Sequence, residues 1–139
     1  MKKWTGAAGV CVNTDNHILL VKQGRPEEVK TWTIPSGGQE KNETLEQCCV
    51  RELKEETGYD VKVIEKLFIK HDNQGDYEVE VHYFRVAVIG GHAIIQDPDD
   101  LIYDIDWKSS ADLDGLALSY PQDKQMINTF LEQSGSLYA

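Results

Sequence analysis

Short apolar runs separated by polar loops make up the first part of the chain. "TGAAGVCV" (Thr5 to Val12) and "HILLVKQ" (His17 to Gln23) each read as a strand, and "NTDN" between them is hairpin-turn chemistry. After the polar loop "GRPEEVK", the run "TWTIP" (Thr31 to Pro35) is another short strand, and "SGGQEKNE" is a Gly-containing loop with no apolar residue. From Thr44 to about Thr57 the spacing predicts a helix, with Gly58 just past its end. "VKVIEKLFIK" and "YEVEVHYFRVAVIG" alternate as strands, and the second sets Val79, Val81, Tyr83 and Arg85 on one side. "HDNQGD" between them is turn chemistry. A strand "LIYDIDWK" (Leu101 to Lys108) follows. The last helix starts at Pro121 and carries a stripe of Met126, Ile127, Phe130 and Leu131.

Strands precede, separate and follow two helices, without regular βαβ alternation. The expected class is α+β, with a mixed sheet clamped between helices. The 139 residues suit one domain spanning 1–139, with a sizeable core and no repeat, linker or low-complexity tract. The formal net charge of −10 excludes a general electrostatic grip on nucleic acid or on an anionic membrane. An anionic substrate would need a cation that the composition does not count.

Cys11, Cys48 and Cys49 are odd in number and two are adjacent, so no disulfide framework is expected. With His17, His71, His82 and His92 scattered, they form no zinc motif either. No secretory segment follows "MKKWTGAAG", and no apolar run reaches membrane-spanning length. The expectation is a reduced, cytoplasmic protein, monomeric or homodimeric.

The helix holds a charge puzzle. At roughly 100° per residue, Leu45 falls within about 20° of Glu52, Glu56 and Cys48 about 40° to either side of it, and Glu55 and Cys49 about 60° to either side. The acids thus continue the apolar stripe, and the projection gives the solvent side to Glu43, Gln47 and Lys54. Carboxylates crowded toward a core repel one another and lose hydration. Arg51 balances about one charge, and the helix C-terminus adds negative potential. Two readings stand: an acidic helix end, or an oxygen-only site for a hard divalent ion such as Mg²⁺ or Mn²⁺.

The pattern is longer than the triad. Gly37, five residues, Glu43, seven residues, then Arg51-Glu52-Leu53-Lys54-Glu55-Glu56-Thr57-Gly58-Tyr59 resembles the box of the MutT-like Nudix hydrolases. "WTIPSGG", with Gly37 and Gly38, is similar to that family's lead-in, and "DIDWKSSADL" to its strand before the C-terminal helix. Ser36 stands where many members have glycine, and Tyr59 where an aliphatic residue is usual.

The resemblance implies an α/β/α sandwich that hydrolyses a pyrophosphate bond in a nucleoside di- or triphosphate or a nucleoside diphosphate-linked compound. It implies Mg²⁺, with Mn²⁺ as a substitute, held by Glu52, Glu55, Glu56 and a backbone carbonyl at Ser36–Gly37. Arg51 would pair with Glu43 to orient the ligands, and Gly37, Gly38 and Gly58 would shape the loops. Glu52 is one candidate base for the attacking water. The later-loop candidates are Asp97, Asp99 and Asp100, of which Asp100 is the choice. Arg25 is a candidate phosphate contact. Tyr77 stands 18 residues after Tyr59, as a tyrosine does in members acting on dinucleoside polyphosphates, whereas Gln74 replaces the proline of ADP-ribose-type members. A nucleotide sensor without hydrolysis is the alternative.

Overall fold

The computed structural model describes residues 2–96 and 100–138, with side chains described through position 133. In chain order the elements are β1 (Lys2–Val10), β2 (Ile18–Gln23), β3 (Thr31–Thr33), β4 (Ser36–Gly38), α1 (Leu45–Thr57), β5 (Tyr59–Gln74) and β6 (Tyr77–Gly91). They continue with β7 (Ile102–Lys108), α2 (Ser110–Leu113) and α3 (Asp123–Tyr138).

Two sheets form. A four-stranded mixed sheet runs β4-β1-β6-β5, with β1 and β6 parallel, and a three-stranded antiparallel sheet runs β3-β2-β7. The alternation of side chains along each strand divides the core. Ala8, Val10, Ile18, Leu20 and Tyr83 pack with Ile127, Phe130 and Leu131 of α3. Ala7, Cys11, Leu19, Phe84 and Val86 pack instead with Cys48, Cys49 and Leu53 of α1. The two helices therefore cover opposite faces, and the expected α/β/α sandwich is the observed one.

Several local expectations change. The "NTDN" turn forms, with the Asn16 N–H donating to the Asn13 carbonyl at 3.0 Å. Its two strands then part into different sheets, joined only by a bridge at Val12 and Ile18 among the described residues. The start of the glycine loop is a strand, β4, because Gly38, Gly37 and Ser36 pair antiparallel with Gly6, Ala7 and Ala8 of β1, where small side chains let the backbones meet. The "HDNQGD" turn contracts, since β5 continues to Gln74 and Gly75 adopts φ 60°. α3 starts at Asp123, two positions after Pro121. The one-turn α2, capped by Ser109, has too short a pattern to foresee. Along β5 the register shifts between Asp60 and Val61, Val63 and Glu65, and Lys66 and Phe68. Among the described residues no helix is long and apolar enough to cross a membrane.

Candidate functional site

Local chemistry fixes the ends of α1. The Thr44 hydroxyl accepts from the Gln47 N–H at 3.1 Å, and the Gln47 side chain accepts from the Thr44 N–H at 2.9 Å. That reciprocal pair satisfies two otherwise orphaned donors. At the other end Gly58 turns left-handed at φ 82° and its N–H closes on the Lys54 carbonyl at 2.9 Å. The helix face that buries Cys48, Cys49 and Leu53 also carries Glu56, only 6% exposed.

Glu43 does not lie on the solvent side as the helical projection had it. It precedes the cap residue Thr44, where the projection no longer applies, and its side chain folds back onto Arg51. Arg51 Nε and Nη2 donate to its two carboxylate oxygens at 2.6 and 2.9 Å. These hydrogen bonds pull the Glu43 carboxyl down to about 2. The same guanidinium donates to the Gly38 carbonyl at 2.9 Å, to Glu52 at 2.9 Å and to Glu55 at 3.3 Å. One arginine thus ties the loop, β4 and the acidic helix end together.

Glu52 and Glu56 are the desolvated members of the triad. Burial raises the Glu52 carboxyl, the neighbouring Glu55 charge adds to the rise, and Arg51 opposes it. Glu56 accepts from the Ser36 N–H at 3.3 Å, which brings the helix end to β4. Gly37 lies directly under the Glu52 carboxylate, so a Cβ there would land on it. The Gly37 carbonyl takes the Cys48 thiol at 3.5 Å. Among the described residues no group of acids, histidines and cysteines stands ready as a metal-ligand cluster, and Arg51 Nη1 holds both Glu52 and Glu55. The donor chemistry nevertheless fits a hard cation: carboxylates and a carbonyl, partly desolvated, with one guanidinium for several acids.

The family model for the NUDIX domain matches residues 3–130. The chain belongs to the Nudix hydrolase family.

Among its Nudix relatives, a Caenorhabditis elegans protein provisionally named nudix hydrolase 1 is 32% identical over 99 residues, covering 71% of this chain and 26% of its own length. A Bacillus subtilis protein provisionally named an 8-oxo-dGTP diphosphatase is 30% identical over 125 residues, covering 90% of this chain and 78% of that one. The chain therefore spans about a quarter of the nematode relative and most of the bacterial one. A Nudix hydrolase structure from Nitrosomonas europaea superposes with a TM-score of 0.81 at 22% identity, covering 96% of this chain and 90% of that one, which speaks to the fold.

Beside the Nudix box lies a cavity of about 430 Å³ on the α3 side of the mixed sheet. Ser36 lines it, and so does Tyr77, whose ring also lies under the Lys2 ammonium at 5.9 Å. Arg25 stands elsewhere: it is in the loop after β2, its side chain is 73% exposed, and its backbone N–H donates to Glu28 at 2.9 Å. Asp100 is exposed just ahead of β7, at φ 55°, and is joined to no box glutamate by a hydrogen bond or ion pair among the described residues. Asp97 and Asp99 lie outside the described residues. The preceding loop does reach the site's helix, since the Ile94 and Gln96 N–H groups donate to the Thr57 and Glu55 carbonyls, each at 3.0 Å. Sequence reasoning missed Lys70, Asp72 and Tyr120, which also line the cavity. The i, i+2 spacing of Lys70 and Asp72 on one strand was the available signal.

Proposed function

We propose that this Nudix pyrophosphohydrolase is divalent-metal dependent and cleaves the pyrophosphate bond of a nucleoside di- or triphosphate or of a nucleoside diphosphate-linked compound. The observation that carries this reading is the pair Glu52 and Glu56. Both are withdrawn from water beside the Ser36–Gly37 backbone, at the edge of a cavity large enough for a nucleoside. Glu52, Glu55, Glu56 and the Ser36 carbonyl would hold Mg²⁺, or Mn²⁺ in its place. When bound, the ion supplies charge neutralisation at the pyrophosphate oxygens and so reconciles an acidic protein with an acidic substrate.

The chain's own residues do the rest. Arg51, anchored on Glu43, fixes where Glu52 and Glu55 point. The upward shift of Glu52 supports its use as the base that positions water, since a base is most effective when its pKa approaches the working pH. Asp100, exposed and apart, is the weaker candidate. The name of the Bacillus subtilis relative supports a nucleoside triphosphate among the substrates. Three buried free thiols are consistent with work in a reducing cytoplasm.

The test is phosphate and pyrophosphate release from nucleoside triphosphates, oxidised deoxynucleotides, nucleotide sugars, ADP-ribose and dinucleoside polyphosphates, with Mg²⁺, Mn²⁺ or EDTA. Turnover that EDTA abolishes and Glu56→Gln lowers severely is the expected result. Tight nucleotide binding with no turnover across the panel would assign a sensor instead.

A further inference from the structure

The far wall of the cavity has a chemistry that the box does not explain. Its floor is the mixed sheet, read across strands. Ser36 of β4 pairs with Ala8 of β1, Ala8 with Tyr83 of β6, and Tyr83 with Phe68 of β5. Lys70 and Asp72 sit opposite Val81 and Val79 of β6, two residues apart on one strand, and all four line the cavity. From β4 to β5 is three strand spacings, roughly 14 Å. A nucleotide with its phosphates at Ser36 would lay its base against β5.

Lys70 is built in. Its ammonium donates to Asp123 at 3.1 Å and lies over the Tyr120 ring at 4.7 Å. The Asp123 side chain is only 8% exposed, at the start of α3, where a carboxylate is favoured by the helix N-terminus. The Lys70 charge is therefore already compensated, which suits it poorly to a polyphosphate. An ammonium carries three donors and no acceptor, so after Asp123 it still has hydrogen bonds to give. Asp72, beside it, is an acceptor. A donor and an acceptor on one apolar-floored wall match the edge of a heterocycle.

We propose that Lys70 and Asp72 are specificity-determining residues that read a 6-oxopurine: Lys70 donates to the 6-oxo group and Asp72 accepts the ring N1–H. A 6-aminopurine opposes both, presenting an amino donor to the ammonium and a bare N1 to the carboxylate. The wall thus selects by repelling the wrong base as well as by holding the right one. This inference rests on the nucleotide-hydrolase reading of the neighbouring box.

The test measures binding without turnover. IMP and AMP differ only at these two ring positions, and each is titrated against the wild type, Lys70→Met and Asp72→Asn by calorimetry. A Lys70→Met/Asp123→Asn double variant covers the case in which an unpaired Asp123 unfolds the single one. Wild type is expected to bind IMP about tenfold or more tighter than AMP, and the Lys70 variants to bring the ratio close to one. Asp72→Asn is expected to narrow it in part, and circular dichroism checks that each variant is folded. Equal binding of IMP and AMP by a wild type that hydrolyses nucleotides overturns this inference alone. Failure to bind either, together with no hydrolysis, overturns the hydrolase reading and this one with it.

Discussion

Arg51 grips both carboxylate oxygens of Glu43, Nε at 2.6 Å and Nη2 at 2.9 Å, and this fork joins the loop ahead of α1 to the helix bearing the acids. A planar guanidinium suits the task because it can hold Glu43 with one edge while Nη1 reaches Glu52 and Glu55.

Arg51→Lys keeps the charge and loses the fork. Activity is expected to fall on the order of 10–100-fold, with a higher Mg²⁺ requirement, as for other residues that orient metal ligands. Rate against Mg²⁺ concentration checks this. An unaltered requirement would remove Arg51 from its positioning role.

The same clamp sets an acid limit. The Glu43 carboxyl is depressed from an ordinary 4.5 to about 2 by Arg51, so its contribution to stability is present above 4.5 and is lost as pH falls toward 2. Urea midpoints of wild type and Glu43→Gln are expected to differ at pH 6, to draw together by pH 3 and to meet only near pH 2. A gap that stays constant across that window would place the acid sensitivity in another group.

Gly37→Ala puts a methyl group where the Glu52 carboxylate lies. Because the carboxylate ends a flexible side chain, the fold is expected to survive while kcat drops on the order of a hundredfold through misplacement of one acid. Circular dichroism and steady-state rates on the same preparation separate the two effects. Normal turnover would show that Glu52 needs no fixed position.

Gly58→Ala strikes the backbone instead. At φ 82° an L side chain is strained, and its Cβ would collide with the His92 carbonyl and the Ile94 amide. A loss of about 2–4 kcal/mol is expected from strain and overpacking together. A melting temperature within two degrees of wild type would contradict it.

Much of the fold was legible because its signals are local. Thr44, the apolar positions of α1 and Gly58 delimit that helix within fifteen residues, and the box picks out Glu52, Glu55 and Glu56 by spacing. What was not legible depends on partners distant in the chain. Ser36–Gly38 is a strand only because β1 lies beside it. Glu43 escaped the helical projection because it lies outside the helix. Arg25 was a candidate phosphate contact and lies away from the cavity, whereas Lys70 lines the cavity wall, and its partner Asp123 is 53 positions away. No window of sequence contains both.

The three register shifts of β5 have a consequence for solubility. β5 is the outer strand of its sheet and is 16 residues long, a length that would invite a second chain to add on edge to edge. The shifts at Asp60/Val61, Val63/Glu65 and Lys66/Phe68 break up the first half of the strand, where Lys62, Glu65 and Lys66 also place charges, while the second half, from Phe68 to Gln74, runs even. The half of β5 away from the cavity is thereby a poor template for aggregation.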